Sequence, residues 1–295
     1  MKVAGFTFIR NAVLLNFPVV EAISSVLPLV DTFFIALGDS RDDTLQLLQS
    51  LPSGKIRITH TVWNEKLVKG GAVYADETNK AFDLIPAEYD WCFYIQGDEV
   101  LHEKYLEPVR SAMLKWMDFP QVEGLLFRYL HFYGTFDYVG DSRHWYRREV
   151  RIIRNDKRIR SFRDAQGFRK EGQKLKVVPV EAEIYHYGWV RPPALMQMKI
   201  DAVRPYYDSA VSSEIPVLTS KEFNYSCNYD ALTRFTGVHP QVMAARIGML
   251  NWKVEVDLKK RNLNLRYRLL FWFEKLTGIR PFEFRNYQIL RNKYF

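Results

Sequence analysis

Cysteine is scarce in this chain: the 295 residues include only two, Cys92 and Cys227. A disulfide-dense scaffold or a four-thiolate zinc site needs more thiols than this. Cys92 stands inside the apolar run 91–95, where an unpaired cysteine behaves as a small buried hydrophobe. The sequence therefore predicts a protein of a reducing compartment that is held together by its core.

Long hydrophobic runs are absent as well. No apolar segment approaches the roughly 20 residues that a helix needs to cross a bilayer. The first six residues lead into a strand-like segment, without the apolar region and cleavage site of a signal peptide. We expect a soluble, cytoplasmic protein, with peripheral contact to the inner face of a membrane as a second expectation.

Acidic residues are outnumbered, and the excess of basic residues is uneven. The chain has 42 Lys and Arg against 34 Asp and Glu, and residues 251–295 hold eleven basic and four acidic residues among ten aromatic ones. A basic, aromatic tail suits an anionic membrane surface. Nucleic acid also attracts basic surfaces, and a solvated helical face is the plainest alternative.

Apolar periodicity predicts alternating strands and helices over the first hundred residues. Apolar strands separated by helices are typical of a parallel sheet that is covered on both faces. The predicted strands span residues 3–9, 31–37, 55–60 and 91–95, and the helices span residues 15–27, a segment through residue 49, and 72–84.

The second half of the chain follows a different pattern. It predicts helices over residues 103–117, 242–250 and 263–276, and strands over 122–132, 150–154 and 176–187. The length suits one large α/β domain with an appendage. We therefore predict a catalytic domain over residues 1–200 and a mostly helical, basic C-terminal region over residues 201–295, with 201–216 as the candidate boundary.

Polar clusters follow three of the predicted strands. They are Arg10-Asn11, the segment 38–43, and the turn 96–99, which reads Gln-Gly-Asp-Glu. In parallel sheets, ligands bind beyond the carboxyl ends of the strands. The three clusters are therefore expected to meet at one edge of the sheet.

Asp98 and Glu99 are two carboxylates directly after a buried strand. Their hard oxygen atoms suit Mg²⁺ or Mn²⁺, which would bridge the phosphates of a nucleotide. An acidic pair at this position is also common as a helix cap or a solvated turn.

The order of these elements resembles family 2 of the glycosyltransferases over about residues 1–190. The resemblance is carried by the strand that ends in Arg10-Asn11, by the turn containing Ser40, Asp42 and Thr44, by a glycine-rich entry to the helix with Thr78-Asn79, and by the acidic turn. It implies a GT-A fold and transfer of a sugar from a nucleoside-diphosphate sugar to a glycan or lipid-linked acceptor, with inversion and a metal ion.

The resemblance also implies site residues. The metal, Mn²⁺ or Mg²⁺, would be bound by Asp98, with Glu99 and His186. Where the family carries further carboxylates, this chain has Leu37-Gly38 and Gln96. The residues expected at the nucleotide-sugar donor are Arg10, Asn11, Asp39, Ser40, Asp42, Thr78, Asn79, Gln96 and Asp98.

Inverting transfer needs a carboxylate that removes the proton of the acceptor hydroxyl. We expect Asp164 in this role because it lies in a polar, glycine-bounded loop, and Asp141 and Glu149 are the other candidates. An ion pair with Arg163 or Arg169 is the alternative interpretation of Asp164. The aromatic, basic tract 144–151 suits a phosphorylated or lipid-linked acceptor.

Two other classes of function stay open at this point. One is a catalytically degenerate GT-A fold kept as an assembly partner, which the replacement of family carboxylates favours. The other is a basic binding module for anionic lipid or nucleic acid. Nucleic acid is the less favoured partner, because it leaves Asp98 and Glu99 at the sheet edge unexplained.

Overall fold

A computed structural model of the chain describes residues 1–207 and 222–290. The strands are β1 (Val3–Ile9), β2 (Thr32–Leu37), β3 (Ile56–His60), β4 (Trp91–Tyr94), β5 (Glu99–Leu101), β6 (Gly124–Tyr133), β7 (Tyr138–Gly140), β8 (Arg148–Arg154), β9 (Ile159–Phe162), β10 (Gly167–Lys170), β11 (Gln173–Trp189), β12 (Leu232–Arg234) and β13 (Tyr287–Ile289). The α-helices are α1 (Val19–Val26), α2 (Thr44–Gln49), α3 (Ala72–Asp83), α4 (Leu106–Lys115), α5 (Pro193–Val203), α6 (Ala244–Gly248) and α7 (Leu265–Thr277).

The main sheet has the strand order β3-β2-β1-β4-β8-β6-β11-β10-β9. β1 pairs in parallel with β2 and β4, and β2 pairs in parallel with β3. β8 runs antiparallel to both β4 and β6, so β6 and its parallel neighbour β11 share the direction of the first four strands. Six of these seven strands therefore point the same way, and their carboxyl ends open on one edge.

Helices cover both faces of this sheet, as the apolar strands require. α1 and α4 pack against one face in a cluster that includes Ile23, Val109 and Phe93. On the other face, Phe82 of α3 packs against Phe6. This arrangement confirms the predicted α/β fold class, a mostly parallel sheet flanked by helices.

Local sequence explains where the first helices begin. Pro18 directly precedes α1, a position where its missing N–H does no harm. Gly70 and Gly71 both have positive φ, 56° and 69°, and Gly71 caps the start of α3 in the left-handed conformation. A side chain at Gly71 would also meet Asp164, since an added Cβ would lie 2.8 Å from the Asp164 Cβ.

The C-terminal region is less helical than expected from the sequence. Within residues 222–290, α6 has 5 residues and α7 has 13, and two short strands join the sheet: β12 pairs with β7, and β13 pairs with β11. The helical appendage is therefore not confirmed. The division into residues 1–200 and 201–295 stays a prediction, and positions 208–216 of its candidate boundary lie outside the described residues.

No helix within residues 1–207 and 222–290 combines the length and the apolar character that a bilayer crossing requires.

A buried ion pair joins the turn after β4 to β8. Glu99 and Arg151 are both fully buried, with Nε–Oε2 and Nη2–Oε1 distances of 2.8 and 2.7 Å. The hydroxyl of Tyr129 donates to the same Glu99 carboxylate at 2.8 Å, and the backbone N–H of Gln96 donates at 3.1 Å. Each carboxylate oxygen of Glu99 therefore accepts two hydrogen bonds. Such additional hydrogen bonds are what allow a charge pair to be kept inside a core.

Neutralising Glu99 tests this pair. Glu99→Gln leaves the Arg151 guanidinium buried without a counter-charge, so we expect it to lower the free energy of unfolding by about 3–5 kcal/mol. Urea denaturation measures the change. Glu88→Gln, at an exposed position, is the matched control. The double change Glu99→Leu and Arg151→Met should restore part of the loss; a Glu99→Gln variant as stable as the control would contradict the account.

Candidate active site at the carboxyl edge of the sheet

A cavity of about 480 Å³ opens where β1 and β4 end. Predicted site residues from three separate segments of the chain line it, and so do aromatic residues that no motif indicated. Those from the prediction are Arg10, Asn11, Gln96, Asp98 and Asp164, and the aromatic ones include Trp63, Tyr74, Tyr206 and Tyr207. We call this cavity the cleft.

One wall of the cleft is an aromatic cluster. Trp63, Tyr74 and Tyr206 contact one another edge to face, with ring centroids 5.6–5.8 Å apart. The guanidinium of Arg10 lies over Trp63 at 4.8 Å and donates to the Tyr206 hydroxyl at 3.0 Å. Such a cluster offers flat apolar faces beside a fixed positive charge, which suits a planar, polar ring such as a nucleobase.

Three residues expected at the donor hold loops together instead of lining the cleft. Asp39 forms an ion pair with Arg10 at 3.0 Å. The Ser40 hydroxyl accepts from the backbone N–H of Asn11 at 3.0 Å. Asp42 accepts from the backbone N–H of Leu14 at 2.6 Å. Together these contacts fix the loop after β1 against the loop after β2, and they keep Asn11 in its left-handed conformation, φ 51°.

Thr78 and Asn79 also have supporting positions. Thr78 is fully buried on α3, and its hydroxyl bonds to the Tyr74 carbonyl at 2.8 Å and to the Tyr94 hydroxyl at 3.1 Å. The Asn79 side-chain amide accepts from the backbone N–H of Ser161 in β9 at 2.8 Å and donates to the carbonyl of the same residue at 3.1 Å. The resemblance implied that both side chains contact the donor directly. In the structure neither of them lines the cleft.

The two halves of the turn after β4 face different ways. Gln96 donates from Nε2 to the Tyr94 hydroxyl and to the Ala165 carbonyl, both at 3.3 Å, and so ties the Asp164 loop to the sheet edge. Glu99 points inward to Arg151. This corrects the expectation that Glu99 would help to bind a metal, because both its carboxylate oxygens already accept from buried donors.

Asp98 faces the cleft and has two cationic or titratable neighbours. Nζ of Lys199 lies 3.3 Å from its Oδ2, and Nε2 of His186 lies 3.6 Å from its Oδ1. Burial alone would raise the pKa of Asp98, but Lys199, His186 and Arg191 outweigh it and lower the pKa to about 2. Asp98 is therefore a carboxylate at any physiological pH.

His186 continues into a chain of hydrogen bonds. Its Nδ1 lies 2.9 Å from Nδ1 of His131, and Nε2 of His131 lies 2.8 Å from the Tyr146 carbonyl. Burial lowers the pKa of both histidines, so both are neutral near pH 7. A carbonyl only accepts, so the proton of His131 belongs on Nε2, and its Nδ1 then accepts from Nδ1–H of His186.

This assignment leaves Nε2 of His186 as a lone pair that faces the Asp98 carboxylate. Two acceptors 3.6 Å apart at the wall of a cleft form an arrangement that a cation stabilises. Within the part of the chain that the structure describes, no group of three or more His, Cys, Asp or Glu side chains could hold a metal ion. A cation here would take two protein ligands and complete its shell with substrate oxygens and water, as Mg²⁺ commonly does.

Asp164 lines the same cleft, beside Gly71. It sits between Arg163 and Ala165, which both have positive φ, 55° and 61°. Burial raises the pKa of Asp164, with smaller opposing effects from backbone N–H groups. Among the described residues no ion pair to Asp164 is present, so the alternative pairing with Arg163 or Arg169 is not seen there.

The other two base candidates lie outside the cleft. Glu149 is buried on β8, and burial raises its pKa to about 7. Asp141 pairs with Lys275 at 2.8 Å at the mouth of a second cavity of about 310 Å³. The second cavity also contains part of the aromatic, basic tract noted in the sequence, namely Trp145, Tyr146 and Arg147.

Two cations of the site escaped the sequence analysis. Lys199 comes from α5, a helix that periodicity did not predict, and burial, followed by Arg191, lowers its pKa to about 8. Arg191 is fully buried, its Nε donates to the Leu15 carbonyl at 2.8 Å, and its Nη2 has no partner. The available signal was a lone lysine within the apolar segment 194–200, a position that rarely carries charge unless it is paired.

No protein-family model and no curated protein matches the chain. Matching solved structures include S. aureus TarS 1–349 in complex with UDP-GlcNAc, at 17% identity over 45% of this chain and 36% of that chain, TM-score 0.32. The match thus spans about a third of that TarS chain. TarS 1–349 in complex with UDP matches at 13% identity over 73% and 69%, TM-score 0.36. A 4-diphosphocytidyl-2C-methyl-D-erythritolsynthase from Anaerococcus prevotii matches at 9% identity over 52% and 70%, TM-score 0.31. At these identities and TM-scores, the three structures do not indicate the function of this chain.

Gly188 gives a steric test of the Asp98–His186 arrangement. A Cβ at this position would stand 2.6 Å from Nε2 of His186 and 3.0 Å from Oδ2 of Asp98. If Asp98 and His186 bind a divalent cation, Gly188→Ala should displace both groups and weaken Mn²⁺ binding at least about tenfold. Isothermal titration with Mn²⁺ and a nucleoside diphosphate measures it. Gly54→Ala, where a Cβ meets nothing within 4 Å, is the control; equal affinities would refute the assignment.

The raised pKa of Glu149 predicts how stability depends on pH. Because the folded-state pKa of about 7 lies above the ordinary value of 4.5, the folded protein binds more protons between these pH values, and its stability falls as pH rises through this window. Glu149→Gln removes the ionisation. The variant should match the wild type near pH 4.5 and unfold at higher temperature above pH 7, as differential scanning calorimetry would measure. A constant difference across pH would contradict this.

Proposed function

We propose that this protein is a glycosyltransferase of family 2 type, which moves a sugar from a nucleoside-diphosphate sugar to a glycan or lipid-linked acceptor with inversion. The observation that carries the proposal is the presence of two carboxylates of different character in one cleft. Asp98 stands among cations and is ionised at any physiological pH, whereas burial raises the pKa of Asp164. Groups whose environments move their pKa values apart suit different roles in one reaction.

The residues that line the cleft suit the parts of a nucleotide-sugar donor. The aromatic wall of Trp63, Tyr74 and Tyr206 suits the base, and Arg10 beside it suits the ribose or a phosphate. Asp98 and Lys199 also line the cleft, and together with the buried Arg191 they carry a net positive charge that suits the diphosphate. The sugar would then lie between the diphosphate and Asp164.

A divalent cation, Mn²⁺ or Mg²⁺, is part of the proposal. The residues that would hold it are Asp98 and His186, whose facing acceptor atoms are 3.6 Å apart. When bound, the cation would offset the charge that develops on the departing diphosphate. The Lys199 ammonium, 3.3 Å from the other oxygen of Asp98, supplies a second positive charge at the same end of the cleft.

Asp164 would act as the base of the transfer. The acceptor oxygen forms its new bond to the anomeric carbon of the sugar while the bond from that carbon to the phosphate oxygen breaks, and the hydroxyl proton passes to the Asp164 carboxylate. A pKa raised by burial strengthens that carboxylate as a base. Gln96, bonded to the Ala165 carbonyl, holds the Asp164 loop at the correct edge of the sheet.

The acceptor is assigned to the side of the second cavity. Trp145 and Tyr146 offer aromatic faces on which sugar rings stack, and Arg147 lies beside them. Peripheral contact of the C-terminal region with a membrane belongs to the same proposal, because a bilayer surface would present a lipid-linked acceptor. A cytoplasmic location likewise stays a prediction.

One observation favours a second candidate, a catalytically degenerate fold. Lys199 pairs with Asp98 directly, so an ammonium already stands where a metal-bound diphosphate would need the carboxylate. Gln96 replaces a family carboxylate in the same turn. A fold that kept the cleft but lost turnover would still bind nucleotide.

Thermal shift and turnover together test the proposal. UDP or GDP should raise the melting temperature only when Mn²⁺ or Mg²⁺ is present, since a ligand stabilises the state that binds it. Asp98→Asn should abolish that shift. Asp164→Asn should keep the shift and lose about 10²–10⁴-fold in kcat, measured with a panel of nucleotide sugars.

Each result has a defined reading. No shift with any nucleoside diphosphate would contradict the donor site. A shift without turnover of any nucleotide sugar would support the degenerate fold. Full turnover in Asp164→Asn would remove that residue from the mechanism and leave the donor site standing.

A further inference from the structure

Helix α7 carries its apolar side chains toward solvent. Leu265, Leu269, Trp272 and Leu276 are 75%, 65%, 66% and 79% exposed. At about 100° per residue, positions i, i+4, i+7 and i+11 fall on one narrow face of a helix. Phe273, 44% exposed, borders this face. We call these five residues the apolar stripe.

Both ends of the helix are capped by residues outside this stripe. The Asn264 side chain caps its first turn by accepting from the Tyr267 N–H at 2.9 Å, and Gly278 ends it in the left-handed conformation, φ 69°. Exposed apolar residues continue beyond it at Ile279, Phe282 and Phe284. Contiguous apolar surface of this kind marks an interaction site.

Charge around the stripe is of one sign. Arg266 and Arg268 flank it, and no carboxylate in the described part of the chain lies within ion-pair distance of either. Residues 258–273 contain five Lys or Arg and no Asp or Glu. The acidic residue of the helix, Glu274, faces the opposite way and pairs with Arg143, Arg147 and Arg280.

We propose that the apolar stripe of α7 docks on the surface of an anionic lipid bilayer. A 13-residue helix is about 20 Å long. Lying in the plane of the interface, it would place its leucines and Trp272 at the acyl boundary and Arg266 and Arg268 among the lipid phosphates. The positive rim complements the negative surface of such a membrane.

The same observations disfavour other occupants. In a two-fold dimer the same patch meets itself, so the basic rim of one copy would meet the basic rim of the other, and the described residues place no acid beside the stripe to neutralise it. Single-stranded nucleic acid stacks its bases on aromatic rings, whereas three of the five residues of the stripe are leucines, which offer no ring. A bilayer satisfies both the apolar centre and the basic rim.

Docking would also orient the proposed acceptor site. Phe271, Glu274 and Lys275, on the inward side of α7, line the second cavity. A bilayer under the stripe would therefore lie one helix diameter from that cavity, about 10 Å. The docking deepens the membrane contact of the proposed function, and the orientation of the acceptor site rests on that function; flotation tests the docking without the donor site.

Vesicle flotation with the full chain tests the docking. The wild type should float with phosphatidylcholine vesicles that contain phosphatidylglycerol, should not float with phosphatidylcholine alone, and should lose binding as salt is added. Arg266→Glu with Arg268→Glu should weaken partitioning at least about 25-fold, since each basic residue contributes about fivefold. Leu269→Ser with Trp272→Ser should also lose binding.

Matched controls separate docking from loss of fold and from the donor site. Arg57→Glu and Met249→Ser, at exposed positions outside the stripe, should float like the wild type. The nucleotide thermal shift should be unchanged in all variants, and a wild type that shows this shift but does not float with anionic vesicles would overturn the docking alone. Absence of the shift with intact flotation overturns only the donor site.

Three further outcomes would overturn the docking. They are equal flotation with neutral vesicles, wild-type flotation of both the double arginine variant and the Leu269→Ser, Trp272→Ser variant, and a dimer in solution that the latter variant converts to monomer. Binding of single-stranded RNA that anionic vesicles fail to displace would also overturn it.

Discussion

The bidentate pair between Glu99 and Arg151 determines which way the acidic turn faces. Both side chains are fully buried, and the pair joins the residue after Asp98 to the antiparallel strand β8. With Glu99 anchored in the core, the preceding residue of the turn, Asp98, faces the cleft. The orientation of the turn depends on this pair because both charges are fully buried and hydrogen-bonded to each other in a low-dielectric interior.

A second layer of contacts converts this turn into a site. The hydrogen bonds from Tyr146 through His131 to His186 define one ring nitrogen as an acceptor that faces Asp98. Lys199 approaches the same carboxylate from α5. The cleft therefore contains a fixed anion, a lone pair and an ammonium together with an aromatic wall. That combination suits a molecule with a flat base and a charged diphosphate.

Sequence patterns predicted the parts of the fold that depend on local periodicity. β1 has the predicted bounds, and the starts or ends of β2, β3 and β4 differ by one residue. Asp98 and Asp164 were expected at the cleft, and both line it. Glu99, Thr78 and Asn79 do not line the cleft, because a motif gives the order of residues and not the direction of each side chain. Lys199 and Trp63 come from distant segments, and only tertiary packing brings them to the sheet edge.

The most direct measurement of the central claim is an anomalous-scattering map from crystals grown with UDP or GDP and Mn²⁺. The account predicts a manganese peak between the Asp98 carboxylate and Nε2 of His186, diphosphate density beside Lys199, and the base against Trp63 and Tyr206. A nucleotide bound elsewhere, or a manganese peak away from Asp98 with the cleft empty, would contradict the claim that this edge of the sheet is a donor site.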